Sequence, residues 1–211
     1  MNLPAINSQN KGKAILIGYV IFCCLYMLSG NYHLYTPVQF HMTFIDRNIP
    51  FFSGTILMYL SQFLFLFLEL WCGDNVLRRT KAYYAMLIAT AIAIFVFIIF
   101  PVKLPRQDIQ FQGAIGFFWH GLYIADTSSN CFPSLHVALA VIALNILVSL
   151  NKFWQLLAPF WAFLICLSTL TTKQHYFVDV LGGLVLAFVS LKLVNPLIIV
   201  ENIHEKYCQQ N

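Results

Sequence analysis

Two short stretches of the chain carry residue types that can do group-transfer chemistry. The first reads Asn130-Cys131-Phe132-Pro133-Ser134-Leu135-His136 and the second Lys173-Gln174-His175-Tyr176-Phe177-Val178-Asp179. Pro133 suits the first turn of a helix, where its missing N–H would have had no partner. His175 and Asp179 are four residues apart, which puts them on one face of a helix. A neutral imidazole beside a carboxylate is an oriented nucleophile or base, a second imidazole can protonate a leaving group, and cations and a hydroxyl can hold an anion. His175, His136 and Asp179 are therefore the candidate catalytic set, with Ser134, Lys173, Arg106 and Lys103 as candidates for holding a phosphate. Asn130 and Asp126 are secondary candidates, since both types also suit loops and turns. With one plausible carboxylate and no acidic pair, no metal site is expected, and no cofactor is implied.

The elements that position these residues follow from the spacing of charge. Of 211 residues 60% are hydrophobic and 9% charged, far from the roughly 25% charged of an average soluble protein. No Asp, Glu, Lys or Arg occurs in residues 14–45, 48–68, 82–102, 127–151 or 153–172. A helix needs about 20 mostly apolar residues to cross about 30 Å of hydrocarbon. The expectation is an all-α polytopic membrane protein, a six-helix transmembrane bundle in one domain, with spans near 14–30, 54–71, 82–100, 133–150, 153–171 and 177–199. Lys192, inside the last, can snorkel to the interface. A long loop over residues 101–132 joins the third and fourth spans, and its part at 109–125 reads as an interfacial or re-entrant segment.

Six spans put both termini on one side. Lys11, Lys13, Arg78, Arg79, Lys81, Lys152 and Lys206 would share that side, against Arg47, Lys103, Arg106 and Lys173 on the other, so the positive-inside rule places both termini in the cytoplasm. The fourth and sixth spans then begin on the outer face, where His136, His175 and Asp179 meet Lys103, Arg106 and Lys173. Helix N-termini there add free N–H donors and the positive end of a dipole, which favour a bound phosphate.

At these residues the chain resembles the type 2 phosphatidic acid phosphatase superfamily, related in fold to vanadium haloperoxidases, whose motifs run KxxxxxxRP, PSGH and SRxxxxxHxxxD. Pro133-Ser134-Leu135-His136 stands for the second, and Ser168, His175 and Asp179 fit the third at its spacing. The resemblance implies that His175 is the nucleophile, Asp179 its orienting partner and His136 the acid that protonates the leaving oxygen. Leu135 replaces the motif glycine, Thr169 the third-motif arginine, and Lys103 and Arg106 are three apart instead of seven, with Gln107 in place of proline. Lys173 is inferred to replace the missing arginine and Arg106 to serve as the first-motif cation. The strings FPSLH and HYFVD also look like the branch of inositol phosphorylceramide and sphingomyelin synthases, which pass a phosphoryl head group to a lipid alcohol. The expected partners are a phosphorylated lipid and the bilayer, with no obligatory protein partner.

Other classes fit less well. Net charge is +4 without a basic stripe or aromatic RNA-binding motif, which excludes nucleic acid. Cys23, Cys24, Cys72, Cys131, Cys166 and Cys208 show no metal spacing. A haem-binding electron carrier would use His120 and His136 as axial ligands and leaves Asp179 without a role. A transporter would carry its polar groups at the midplane rather than at span ends. Asp46 and Arg47 read as a solvated pair, and His33, His41 and His120 as loop or interface residues.

Overall fold

The computed structural model describes residues 3–107 and 113–198. Lys206, Cys208 and the last residue of the expected sixth span lie outside them, as do the first residues of the expected interfacial segment. The described chain is helical: α1 (Lys11–Asn31), α2 (Phe44–Asn48), α3 (Ile56–Cys72), α4 (Val76–Ile99), α5 (Gly113–Ala125), α6 (Leu135–Leu147), α7 (Lys152–Thr171) and α8 (Phe177–Val194). Asparagine side chains cap α4 and α7 and a serine caps α6, each accepting a backbone N–H of the first turn as the helix start requires.

Among the described residues five helical stretches, not six, are long and apolar enough to cross a membrane: α1, α3 with the turn before it, α4, α7, and α8 with the turn after it. The expected fourth span is α6, whose 13 residues reach only about 20 Å. Its apolar run does not face lipid. Helices α3, α4, α7 and α8 all pack against it, and Val137, Ala138, Ala140, Ile142 and Ala143 have no exposed surface. α6 still runs from the end where α8 begins to the end where α7 begins, so it passes through the bundle as a short central helix, and an uncharged run does not tell such a helix from a lipid-facing one.

The long connection is partly helical too. Trp119 and Leu122 of α5 pack on Ile56 and Tyr59 of α3, and the Trp119 indole N–H donates to the Ser53 carbonyl at 3.0 Å. The rest is laced by backbone bonds: Lys103 N–H to Val38 O (2.8 Å), Leu104 N–H to Ser128 O (3.1 Å) and Cys131 N–H to Val102 O (3.2 Å). These loops close over the end of the bundle where α6 and α8 begin.

Candidate active site

Two glycines let α6 and α8 meet. A Cβ on Gly183 would lie 2.5 Å from the Ser134 carbonyl oxygen, and one on Gly182 2.6 Å from the Phe132 ring. Both are far inside van der Waals contact, so only glycine allows this approach. The Ser134 N–H donates to the Asp179 carbonyl at 3.0 Å and fixes the register. As a result the rings of His136 and His175, 39 positions apart in sequence, have centroids 6.3 Å apart.

His175 Nδ1 lies 2.9 Å from the carbonyl oxygen of Cys131. A carbonyl only accepts, so Nδ1 carries a proton, and in the neutral ring the lone pair is then on Nε2. The Asp179 carboxylate stands behind, Oδ2 3.5 Å from Nδ1, and accepts the Tyr176 N–H at 2.8 Å. Asp179 has no exposed surface and its Oδ1 has no partner among the described residues. The carbonyl orients the ring, and the carboxylate is close enough to stabilise a positive charge on it.

Asp46 is not a solvated residue. It is buried, and its carboxylate accepts the Phe177 N–H at the start of α8 (2.7 Å), the Thr43 N–H (2.8 Å) and the Thr43 hydroxyl (2.6 Å). Arg47 beside it is exposed. The Lys173 ammonium donates to the carbonyls of Asp46 (2.8 Å) and Ile49 (2.6 Å). Lys173 sits at φ +52°, a conformation that costs a non-glycine residue about 1–2 kcal/mol, and these bonds help to offset it. Segment 43–49 thus clamps the turn carrying His175.

Arg106, Asp126, Asn130, Lys173 and His175 line one small polar pocket. Arg106 is fixed there by bonds to the carbonyls of Tyr123 and Asp126, with its guanidinium stacked 4.4 Å from the Tyr123 ring centroid. Asp126 accepts the Tyr26 hydroxyl at 2.7 Å; burial raises its pKa, opposed by that bond and by His175 and Arg106. Burial lowers the pKa of Lys173, with Asp46 opposing. Asn130 holds the end of α1 through the Ser29 hydroxyl (3.0 Å) and the Tyr26 carbonyl. Two of the four phosphate-holding candidates lie off the pocket. Ser134 is fully buried as the cap of α6, and Lys103 is exposed, its carbonyl accepting the Tyr176 hydroxyl at 3.2 Å.

His136 faces apolar surroundings. It stacks on Tyr59 (4.0 Å between centroids), and its Nε2 is buried without a partner among the described residues. With Asp126 it closes the end of a cavity of about 230 Å³ walled by Tyr59, Phe63, Phe118 and Leu122. His120 is exposed on α5, and the rings around His136 are Tyr59, Phe63 and His175, so no axial histidine pair forms. Sequence reasoning missed Asp46, Tyr26, Tyr59 and the Cys131 carbonyl. Only Asp46 left a trace, as an acidic residue three positions after Thr43, the spacing of a helix-start capping box.

Two histidines at the starts of two packed helices, one with a carboxylate behind it, inside a bundle of long apolar helices, define an integral membrane protein with a histidine-based site. The model of the PAP2 superfamily matches residues 55–193, which takes in α3 to α7, all but the last residue of α8 and both motif stretches, and the chain belongs to that superfamily. It is thereby an enzyme of the phosphatase and phosphotransferase kind. No curated protein and no solved structure matches the chain.

Proposed function

We propose that the protein is a membrane-embedded lipid phosphate phosphatase that works through a phosphohistidine and without a metal ion. The observation that carries this is the junction at the two histidines: His175 lines a polar pocket with Arg106 and Lys173, while His136, its ring centroid 6.3 Å away, closes an apolar cavity of about 230 Å³. Phosphate fits the first and an acyl chain the second. His175 Nε2 attacks phosphorus as the bond to the lipid oxygen breaks, and His136 gives that oxygen its proton. Water then attacks phosphorus, its proton passes to His136, and the P–N bond breaks to free phosphate. Charge on the phosphoryl oxygens is met by Arg106 and by the third N–H of Lys173. Asp179 stabilises the cationic ring.

A second apolar cavity also ends at His136, beyond Phe22 and Phe63. It favours a second reading, a lipid phosphotransferase in which a lipid alcohol replaces water, as in inositol phosphorylceramide synthases. The site lies at the bundle end opposite Lys11, Lys13, Arg78 and Lys152, so the positive-inside rule puts it on the periplasmic, extracellular or lumenal face with the termini in the cytoplasm.

Purified protein in detergent, offered several lipid phosphates with and without a lipid alcohol, should release free phosphate or form a new phospholipid in EDTA, and vanadate should inhibit. His175→Ala should abolish both products in a folded protein. Turnover restored only by added magnesium or zinc would overturn the metal-free reading. An impermeant thiol reagent on intact cells should label Gln174→Cys in preference to Asn151→Cys; equal labelling would overturn the topology.

A further inference from the structure

In the proposed reaction the bond that breaks joins a phosphate at His175 to a lipid oxygen at His136, so it lies where the polar pocket meets the cavity of about 230 Å³. Among the described residues just two, Tyr26 and Asp126, line both spaces. Tyr26 belongs to α1, and Asp126 directly follows α5. The Tyr26 hydroxyl donates to Asp126 Oδ1 at 2.7 Å, and the Thr127 N–H also bonds to that carboxylate. A carboxylate has about four acceptor sites, so these donors fix the group and leave it able to accept a further hydrogen. No step of the proposed reaction uses it.

We infer that Asp126 holds the water that attacks the phosphohistidine, and so favours water over an alcohol as the acceptor. The inference rests on the reading of His175 as the nucleophile and His136 as the proton carrier. Displacement at phosphorus is roughly in line, so the water enters opposite His175 Nε2, at the place the lipid oxygen has left. There its two hydrogens meet two acceptors. As the water oxygen bonds to phosphorus, one proton passes to His136 and the electron pair of the breaking P–N bond returns to Nε2. The other hydrogen stays on the product phosphate, bonded to Asp126. Holding both hydrogens aims the water's lone pair at phosphorus, which is the orientation that turns a bound molecule into a reacting one. An alcohol has one hydroxyl hydrogen, which His136 takes, and it leaves the carboxylate facing carbon.

The test gives purified protein in detergent a lipid phosphate in water containing methanol, and measures inorganic phosphate and methyl phosphate by phosphorus NMR. Both products come from one phosphohistidine, so their ratio reads the choice of acceptor and does not move with folding yield or with the first step. In Asp126→Asn the amide oxygen keeps the Tyr26 bond and its N–H groups turn to the pocket, donors where the water needs an acceptor. The ratio of phosphate to methyl phosphate should fall at least about tenfold, equal to about 1.4 kcal/mol. Tyr26→Phe frees the carboxylate to turn and should lower the ratio less. Asp179→Asn should slow both products and keep the wild-type ratio. A wild-type ratio in folded Asp126→Asn overturns the inference while the reaction reading stands, and so does an equal fall in Asp179→Asn. If Asp126→Asn does not fold, Tyr26→Phe decides, and an unmoved ratio there overturns the inference. Wild-type protein that forms neither product from any lipid phosphate refutes the reaction reading and this inference with it.

Discussion

Removal of the Asp46 carboxylate tests whether a residue far from His175 in sequence holds it in place. Its two oxygens accept three bonds, from the Phe177 N–H (2.7 Å), the Thr43 N–H (2.8 Å) and the Thr43 hydroxyl (2.6 Å), and it is 7% exposed. Hydrogen bonds to a charged group contribute about 1.5–3 kcal/mol each, and a carboxylate at a helix N-terminus adds about 0.3–1 kcal/mol through the dipole. These terms share one side chain and do not add fully, so Asp46→Ala should cost about 3 kcal/mol. For a domain of 150–250 residues that lowers Tm by about 6–12 °C. Asp46→Asn keeps an acceptor for the Phe177 N–H and loses the charge, and should fall about halfway. Thermal unfolding in detergent reads this, with the exposed Arg47→Ala as control. Turnover should fall with Asp46→Ala even well below its Tm, because Phe177 is two residues past His175 and the Lys173 ammonium loses the well-placed Asp46 carbonyl. Should Asp46→Ala melt with wild type and Arg47→Ala, the clamp is not what positions α8 and the argument fails.

Four further outcomes follow. Asp179→Asn should cut kcat by at least about a hundredfold, because the amide cannot stabilise a cationic imidazole, while protein yield stays near normal; near-normal kcat would remove Asp179 from the mechanism. Gly183→Ala should destabilise by at least about 2 kcal/mol, since the Ser134 carbonyl, only 2.5 Å from the new Cβ, is backbone and must move; an unchanged Tm would contradict the close α6–α8 contact. Burial raises the Asp126 pKa, so its contribution to stability is full below the unfolded value of about 3.9 and is lost as pH rises through the folded value. Asp126→Asn, whose oxygen still accepts from Tyr26, should therefore gain Tm over wild type as pH rises from about 4 to 7, and a constant difference would refute this. Arg106→Ala should lower turnover at least about tenfold, equal to about 1.4 kcal/mol, and Arg106→Lys should recover only part of it because Lys cannot make both carbonyl bonds and stack on Tyr123; full activity in Arg106→Lys would show that charge alone matters.

The parts of the fold legible in the sequence are those written in single-residue spacing. Charge gaps mark the helices, but His175 is not on one face of a helix with Asp179: it lies in the turn two residues before α8, and that turn brings its ring to 3.5 Å from the carboxylate. What stayed hidden depends on contacts at long separation. The Cys131 carbonyl that orients His175 is backbone and leaves no signal in residue type. Asp46 looked solvated because its neighbour is Arg47 and its loop is polar, yet its partner is an N–H 131 positions away. The buried role of α6 was hidden for a different reason: apolar side chains satisfy lipid and a bundle interior equally, so composition does not say which helix is central.

The departure at Thr169 shows how the site differs from its family pattern. Where the motif has an arginine, Thr169 is fully buried, its hydroxyl donates to the Cys166 carbonyl at 2.7 Å, and its own carbonyl accepts the N–H groups of Gln174 (3.1 Å) and His175 (3.2 Å). The position, within the last turn of α7, anchors the turn that carries His175, and its side chain bears no charge. Lys173, the nearest cation in sequence, already spends two of its three N–H donors on the Asp46 and Ile49 carbonyls. Arg106 comes from the long connection instead, and it reaches the His175 pocket because its bonds to the Tyr123 and Asp126 carbonyls fold that connection back over the bundle end. In the proposed mechanism the cation that α7 does not supply therefore comes chiefly from the loop after α4, and the packing of α5 on Ile56 and Tyr59 would then serve phosphate binding as well as the wall behind His136.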